Sequence, residues 1–224
     1  MNIKKTAWVL IGMVLTGFAY AATQLEVAKV ITTRGKCIAS QNGEQRVLRR
    51  GSKIYQKDTI TTDKRGSMKV RFSDATFLVL TPNAQLDINE YQFNKKDPTK
   101  NKGDLALVKG GLKSITGLIN KNNAAALNYR CGNVATIGIR GTNLEVDASQ
   151  KSCGVYVKSG EVRVAAKKQK VKKGADVDND VTYFVVIKGT DKQPAGVFTV
   201  YGYSRITGAV YKTKYQTSIR GGCS

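Results

Sequence analysis

The six residues Ser67–Phe72, SMKVRF, decide the fold class of this chain. The apolar residues Met68, Val70 and Phe72 alternate with two basic residues, so one face of an extended strand is apolar and the other is charged. A polar turn and a second apolar run, TFLVL at residues 76–80, follow directly. This spacing predicts two antiparallel strands with one face in a core and one face in water.

The same arrangement continues in both directions from this pair. Short β-branched or aromatic runs alternate with Gly, Asn and Asp turns, and residues 40–44, SQNGE, carry the Asn-Gly pair typical of a tight hairpin. Separate strands are predicted at residues 105–108, 112–119, 134–139, 143–147, 181–187 and 197–203. The fold class is therefore all-β, and the repeated unit fits a twisted β-solenoid or a β-sandwich.

The first 21 residues have the pattern of a cleavable signal peptide. Lys4 and Lys5 precede an apolar stretch at residues 7–19, and an Ala-x-Ala site ends at Ala21. Thirteen helical residues would rise about 20 Å, which is too short for a membrane core of roughly 30 Å. We therefore predict a signal-peptide helix, export to the periplasm or beyond, and no stable membrane anchor in the mature chain.

The composition is strongly basic. Lys and Arg number 37 against 16 Asp and Glu, for a formal net charge of +21. A field of this sign attracts polyanions. Because the chain is predicted to be exported, the expected partners are an envelope protein or an anionic envelope polymer such as lipopolysaccharide, and no nucleic acid is expected.

Two groups of lysines are candidate anion-binding residues. Lys95 and Lys96 lie in a polar loop at residues 93–104, and Lys168, Lys170 and Lys172 would share one face of an extended strand. Lysines of this kind also protect an edge strand against aggregation, and the sequence leaves both interpretations open.

Four cysteines are predicted to enter an oxidising compartment, where three pairings are possible. Cys131 and Cys153 flank a predicted strand pair and are the favoured disulfide, which leaves Cys37 and Cys223 to join the two ends of the chain.

No motif in the sequence indicates catalysis or a metal site. Histidine is absent and no Cys-x-x-Cys spacing occurs, so imidazole chemistry and the common zinc sites are excluded. Asp104, Glu145 and Asp147 are scattered acids without a nucleophile or a phosphate-binding loop beside them. We predict a non-enzymatic protein without a cofactor.

Three blocks of residues, in this order, resemble the FecR family. The first runs from Gly51 through Asp58 and Phe72-x-Asp74-x-Thr76 to Pro82-Asn83; the second is Leu107-x-x-Gly110-Gly111-Leu112; the third is residues 135–142, ATIGIRGT. The positions that the resemblance assigns to the scaffold are Gly51, Asp58, Asp74, Pro82, Asn83, Gly138, Arg140, Gly141 and Thr142. It implies a FecR-like β domain, which we place at residues 25–180. The strand-forming runs that follow predict a C-terminal β extension at residues 181–224.

The chain departs from the family pattern at three places. Lys57 stands where a glycine usually precedes Asp58, Ala75 stands where a glycine usually follows Asp74, and Cys131 begins a segment where the family tends to have Thr-Pro. Arg140, between two glycines, either ties loops together or binds an anion. We favour the structural role, with Asp58 and Asp74 as candidate partners.

The resemblance implies binding. The best understood family members are membrane-spanning sensors with a cytoplasmic anti-sigma segment, and this chain resembles their periplasmic module alone. The expected function is that of a protein-interaction or signal-receiving module in the envelope; the alternative is an electrostatic binder of an anionic polymer.

Overall fold

A computed structural model describes residues 24–150, 152–166, 183–189 and 195–200. The predicted all-β class is confirmed, and the single helical element in these ranges is a 3-10 turn at Pro98–Lys100. The strands are β1 Glu26–Arg34, β2 Cys37–Gln41, β3 Glu44–Val47, β4 Lys53–Tyr55, β5 Thr59–Thr62, β6 Ser67–Phe72, β7 Phe77–Leu80, β8 Gln85–Gln92, β9 Lys102–Ile115, β10 Leu127–Cys131, β11 Ala135–Ala148, β12 Ser152–Ala166, β13 Tyr183–Gly189 and β14 Ala195–Val200.

The alternation in β6 is present as predicted. Met68, Val70 and Phe72 are buried, Arg71 is exposed, and β6 pairs antiparallel with β1 on one side and β7 on the other. The predicted hairpin at the Asn-Gly pair joins β2 to β3. Asn42 and Gly43 both have positive φ, which gives the type I′ turn whose twist matches that of paired strands.

The strands form one curled sheet with two layers. The first layer contains, in spatial order, β14, the first half of β12, the second halves of β11 and β9, and then β7, β6, β1 and β4. The second layer contains β13, the second half of β12, the first half of β11, β10, the first half of β9, and then β8, β5, β2 and β3. In the described residues, β9 and β10 are the one parallel pair.

Three long strands cross from one layer to the other, and each bends at a glycine with positive φ. These residues are Gly110 in β9, Gly141 in β11 and Gly160 in β12, with φ of 83°, 69° and 93°. A Cβ at Gly160 would lie 2.2 Å from the carbonyl oxygen of Gly141, so the bends of β11 and β12 pack directly on each other. Layers that share bent strands combine the predicted sandwich with a continuous curled sheet.

The bends correct two strand assignments. Residues 105–108 and 112–119 were predicted as separate strands, as were residues 134–139 and 143–147. Each pair is a single bent strand, β9 or β11, because the glycine turns the chain without ending its ladder of hydrogen bonds. One hydrophobic core lies between the layers, and Tyr91 and Tyr129 are its largest fully buried side chains.

Several predictions lie outside the described residues. These are the signal peptide at residues 1–21, the lysines Lys168, Lys170 and Lys172, Cys223, and most of the C-terminal extension. The two strands of that extension which are described, β13 and β14, both pair with β12.

Candidate functional site

Asp74 lies in the turn between β6 and β7 and is completely buried. Its carboxylate accepts hydrogen bonds from the backbone N–H of Thr76 at 2.9 Å, the Thr76 hydroxyl at 2.7 Å, the Tyr91 hydroxyl at 2.7 Å and the N–H of Ile119 at 3.0 Å. These donors come from the turn, from β8 and from the loop after β9. Asp74 therefore joins three elements that are distant in sequence.

The donors around Asp74 are neutral. Burial, together with the neighbouring Asp74 carboxylate, holds the pKa of Tyr91 well above its usual range. Burial also raises the pKa of Tyr129, whose hydroxyl lies 2.8 Å from that of Ser114. Because a raised pKa keeps each phenol protonated, Tyr91 remains a donor to Asp74 at neutral pH.

Asp58 is the second fully buried aspartate, and its main partner is charged. Arg46 of β3 donates to both carboxylate oxygens, at 2.6 and 2.5 Å, and the N–H of Tyr55 donates at 2.7 Å. The Arg46 guanidinium also donates to the carbonyl of Lys53 and lies 4.8 Å from the centre of the Tyr55 ring. Arg46 and Asp58 thereby bind backbone groups at both ends of the edge strand β4.

The turns around both aspartates contain residues in the left-handed region. Lys57 has φ of 73° and Ala75 has φ of 69°, at the two positions where the family pattern usually has glycine. The local backbone conformation is therefore retained although its usual glycine is absent. A non-glycine residue in this region costs about 1 kcal/mol or more, so both turns are strained.

The other motif residues of the first block are also turn residues. Gly51 has φ of 85°, and its N–H donates to the carbonyl of Val30. Pro82 and Asn83 form the turn between β7 and β8, where Asn83 has φ of 57° and its N–H donates to the carbonyl of Asp63. Gly138 differs from them because it lies within β11 without a positive φ.

The predicted partners of Arg140 were wrong. Its guanidinium pairs with Glu161 of the neighbouring strand β12 at 3.1 Å, and its side chain is 48% exposed. Burial alternates along the first half of β11 and places Arg140 on its solvent face opposite Glu161, while Asp58 and Asp74 are occupied by other donors. Thr142, on the other side of the bend, is buried, and its backbone accepts a hydrogen bond from the N–H of Thr116.

The structure joins Cys131 to Cys153 by a disulfide, the favoured pairing. This bond connects β10 of the second layer to the first half of β12 in the first layer, so it joins the two layers. Cys37 is buried, and burial raises the pKa of its thiol. Its pairing with Cys223 stays a prediction, since Cys223 lies outside the described residues.

Lys95 and Lys96 are exposed on the loop between β8 and β9. Two other lysines near them form ion pairs, Lys100 with Asp97 at 3.1 Å and Lys102 with Glu90 at 2.8 Å. The loop therefore presents fewer uncompensated charges than its sequence suggests.

An open backbone edge lies on β3, which pairs only with β2 in the part of the chain that the structure describes. In a two-residue hairpin the pairs Gln41–Glu44 and Ala39–Arg46 exchange the ladder hydrogen bonds. The N–H and C=O groups of Gln45 and Val47 consequently point away from β2. Val47 is 59% exposed beside them, so the edge combines free hydrogen-bonding groups with an apolar side chain.

Three residues of this scaffold were not predicted from the sequence. Arg46 and Tyr91 contact the motif aspartates, and Tyr129 is buried in the core with its hydroxyl beside that of Ser114. Arg46 lies three residues after Gly43 on the hairpin strand that also carries the open edge, but nothing in its local pattern indicates Asp58. Tyr91 falls on the buried face of β8 in a period of two, a pattern that does not indicate its hydrogen bond to Asp74.

Within the described ranges, no helix is long and apolar enough to cross a membrane. The same ranges contain no group of three or more acidic, Cys or His side chains placed to hold a metal ion.

A protein-family model described as FecR protein matches residues 58–163. This segment is a FecR domain. The FecR match begins at the buried Asp58 and ends in β12, so it contains Asp74, all three glycine bends and the disulfide. Arg46 and the β3 edge lie before the matched residues.

Two crystal structures of a protein from Parabacteroides distasonis ATCC 8503, described as a candidate anti-sigma factor, are similar to the chain. The identities are 13% and 14%, with TM-scores of 0.38 and 0.39, and each alignment covers 60% of this chain. The chain spans 61% of the length of those structures. No curated protein matches the sequence.

Proposed function

We propose that this FecR-domain protein is a non-enzymatic envelope module that receives an extended segment of a partner protein at the β3 edge. FecR proteins are regulatory, which supports a signal-receiving role. The signal peptide at residues 1–21, export to the periplasm, and the division into a domain at residues 25–180 and a C-terminal extension belong to the same proposal.

The observation that carries the proposal is the contrast between two neighbouring edges. The edge of β4 is bound by side chains, because Arg46 donates to the Lys53 carbonyl and Asp58 accepts from the Tyr55 N–H. The edge of β3 has no such partner in the described ranges, and the exposed Val47 lies on it. An added strand would pair with the backbone of Gln45 and Val47, and alternate side chains would supply specificity.

The motif residues support this assignment by what they already bind. Both oxygens of Asp58 and both oxygens of Asp74 accept hydrogen bonds from buried or half-buried donors. Their role is therefore to hold turns and layers together, which leaves recognition to the surface.

Photo-crosslinking from position 47 in cells tests the proposal. A crosslinker that replaces Val47 should form a discrete protein adduct, whereas one at Leu118, a similarly exposed apolar residue on a loop, should not. The Gln45→Pro variant removes the outward N–H without breaking a β2–β3 hydrogen bond, so it should abolish the adduct. Gln45→Ala, which retains that N–H, should preserve it.

Equal adducts at positions 47 and 118, or an adduct that survives Gln45→Pro, would contradict docking at the β3 edge. Ionic strength supplies a second criterion. A protein segment paired along the backbone should remain bound at high salt, whereas an electrostatic polymer complex should dissociate.

A further inference from the structure

Six basic side chains form a continuous surface on the first layer, which we call the basic stripe. Its members are Arg34, Lys36, Lys64, Arg65, Lys69 and Arg71, and all except the half-buried Lys69 are exposed. None of the six forms an ion pair with the described part of the chain, although nine other ion pairs occur there. The stripe is therefore a local concentration of uncompensated positive charge.

Two interlocked turns hold one end of the stripe. Arg34 ends β1, Lys36 lies in the β1–β2 turn, and the β5–β6 turn carries Lys64 and Arg65. The Lys36 carbonyl accepts a hydrogen bond from the N–H of Asp63 at 3.0 Å, and a Cβ on Gly35 would lie 2.7 Å from the Arg65 backbone. The backbone positions of these four cations are consequently fixed relative to one another.

The stripe continues along β6. Lys69 and Arg71 lie on its solvent face, and both contact Phe77 of β7: the Lys69 ammonium is 4.8 Å and the Arg71 guanidinium carbon 5.9 Å from the ring centre. Contact with an aromatic ring restricts these long side chains before any ligand binds, which lowers the entropic cost of binding.

Edge protection does not explain these cations, because β6 is paired on both sides. Two other strands of the first layer, β1 beside β6 and β9 beyond β7, differ from β6. Lys29 of β1 pairs with Glu26 at 3.5 Å and Lys113 of β9 pairs with Glu145 at 3.0 Å, whereas Lys69 and Arg71 have no acidic partner in the described ranges. Asp63 is the acid within the stripe, and its carboxylate accepts the backbone N–H of Arg65.

We propose that the basic stripe binds a linear polymer that carries phosphate groups. From Arg65 to Arg71 the extended chain covers roughly 20 Å. This length is greater than the size of one phosphate group and can accommodate several successive phosphates of a polymer. The three arginines supply planar guanidinium groups that bind phosphate in a bidentate manner. This site is separate from the proposed β3 edge and does not depend on it.

Binding of fluorescently labelled inorganic polyphosphate to the full chain tests the site. The Lys64→Gln/Lys69→Gln/Arg71→Gln variant should bind at least tenfold more weakly, and the slope of log K against log salt should fall by about two to three. A matched variant, Arg50→Gln/Lys121→Gln/Lys158→Gln, loses the same charge from exposed positions outside the stripe and should change affinity less than twofold.

Equal losses of polyphosphate affinity in the two triple variants would contradict binding at the basic stripe, because the net charge alone would then explain binding. Two other probes identify the ligand class. Polyglutamate that binds as tightly as polyphosphate would indicate a docking surface for acidic protein, and tighter binding to phosphatidylglycerol vesicles would indicate a membrane surface. If the triple variant has a lower melting temperature, Lys64→Gln alone, on an exposed turn, should still weaken polyphosphate binding several-fold.

Discussion

The turns around Asp74 and Asp58 solve the same structural problem with different chemistry. Each places a fully buried carboxylate beside a backbone turn and uses it to join distant segments. Asp74 is surrounded by hydroxyl and backbone N–H donors, whereas Asp58 receives a guanidinium that is one-third exposed. One site compensates its carboxylate with neutral hydrogen bonds in the core, and the other with a cation at the edge of the sheet.

This difference predicts that the stability of the two sites depends to different degrees on any single hydrogen-bond donor. At the Asp74 site the hydrogen bonds are shared among several donors, so the loss of one donor leaves the others in place. At the Asp58 site a single side chain supplies two of the three hydrogen bonds. The Asp58 site should therefore depend on one residue, and the Asp74 site on the carboxylate itself.

Replacing the Asp74 carboxylate should have the largest effect. Asp74→Asn places an NH₂ group among the donors from Thr76, Tyr91 and Ile119, and should lower the free energy of unfolding by about 3 kcal/mol or more. Tyr91→Phe removes one donor and should cost only about 1 to 2 kcal/mol. Urea denaturation measures both, and similar losses would contradict the shared network.

Removal of Arg46 should be nearly as costly at the other site. Arg46→Met leaves the buried Asp58 carboxylate without its cation and should cost about 2 to 4 kcal/mol. In the Arg46→Met/Asp58→Asn variant the unpaired charge is also removed, so the coupling energy from the double-mutant cycle should exceed about 1.5 kcal/mol. Additive effects would show that the ion pair does not stabilise the β4 edge.

Glycine at the two strained turns should stabilise the protein. Lys57→Gly and Ala75→Gly remove the strain of a non-glycine residue in the left-handed region, and each should raise the free energy of unfolding by up to about 1 kcal/mol. The greater entropy of the unfolded chain reduces this gain. Thr32→Gly, at an exposed strand position, serves as the control and should be destabilising. Destabilisation by all three would mean that the turns are not strained.

Alkaline pH should weaken the Asp74 site. The pKa of Tyr91 is raised by burial, so above the unfolded value of about 10 the unfolded chain releases a proton that the folded chain retains. The contribution of Tyr91 to the free energy of unfolding is therefore fully present below about pH 10. It falls as the pH rises further, by up to about 1.4 kcal/mol per pH unit. The difference in stability between wild type and Tyr91→Phe should shrink from pH 9 to pH 11, and a constant difference would contradict the raised pKa.

Arg140 provides the smallest expected effect. Because its pair with Glu161 is half exposed, Arg140→Ala should lower stability by less than about 1 kcal/mol. A larger loss in thermal denaturation would restore the structural role that the sequence suggested for this residue.

The sequence predicted the parts of this fold that depend on local patterns. Alternation in β6 and the Asn-Gly hairpin were sufficient for the all-β class, because a side-chain period of two and positive φ are properties of a few consecutive residues. The FecR blocks also located both buried aspartates. The partners could not be predicted in the same way, since Asp74 and Ile119 are 45 residues apart and meet only when β9 is in place.

The bends show a second limit of local reasoning. Gly110 and Gly141 look like strand ends in sequence, but in the structure each turns one long strand from one layer into the other. Arg140 was likewise assigned Asp58 and Asp74 as candidate partners, but it lies on the solvent face of β11 and pairs with Glu161. A glycine permits a positive φ, but whether the strand continues depends on its hydrogen bonds to the neighbouring strands.

If the FecR motif residues build the scaffold while a partner binds at the β3 edge, scaffold and edge variants should affect binding differently. This is measured by the yield of the position-47 photo-adduct, normalised to folded protein, in Tyr91→Phe and Gln45→Pro. We expect a full yield in Tyr91→Phe despite its lower melting temperature, and no adduct in Gln45→Pro despite a nearly unchanged melting temperature. Loss of the adduct in Tyr91→Phe and its persistence in Gln45→Pro would show that the partner does not bind at the β3 edge.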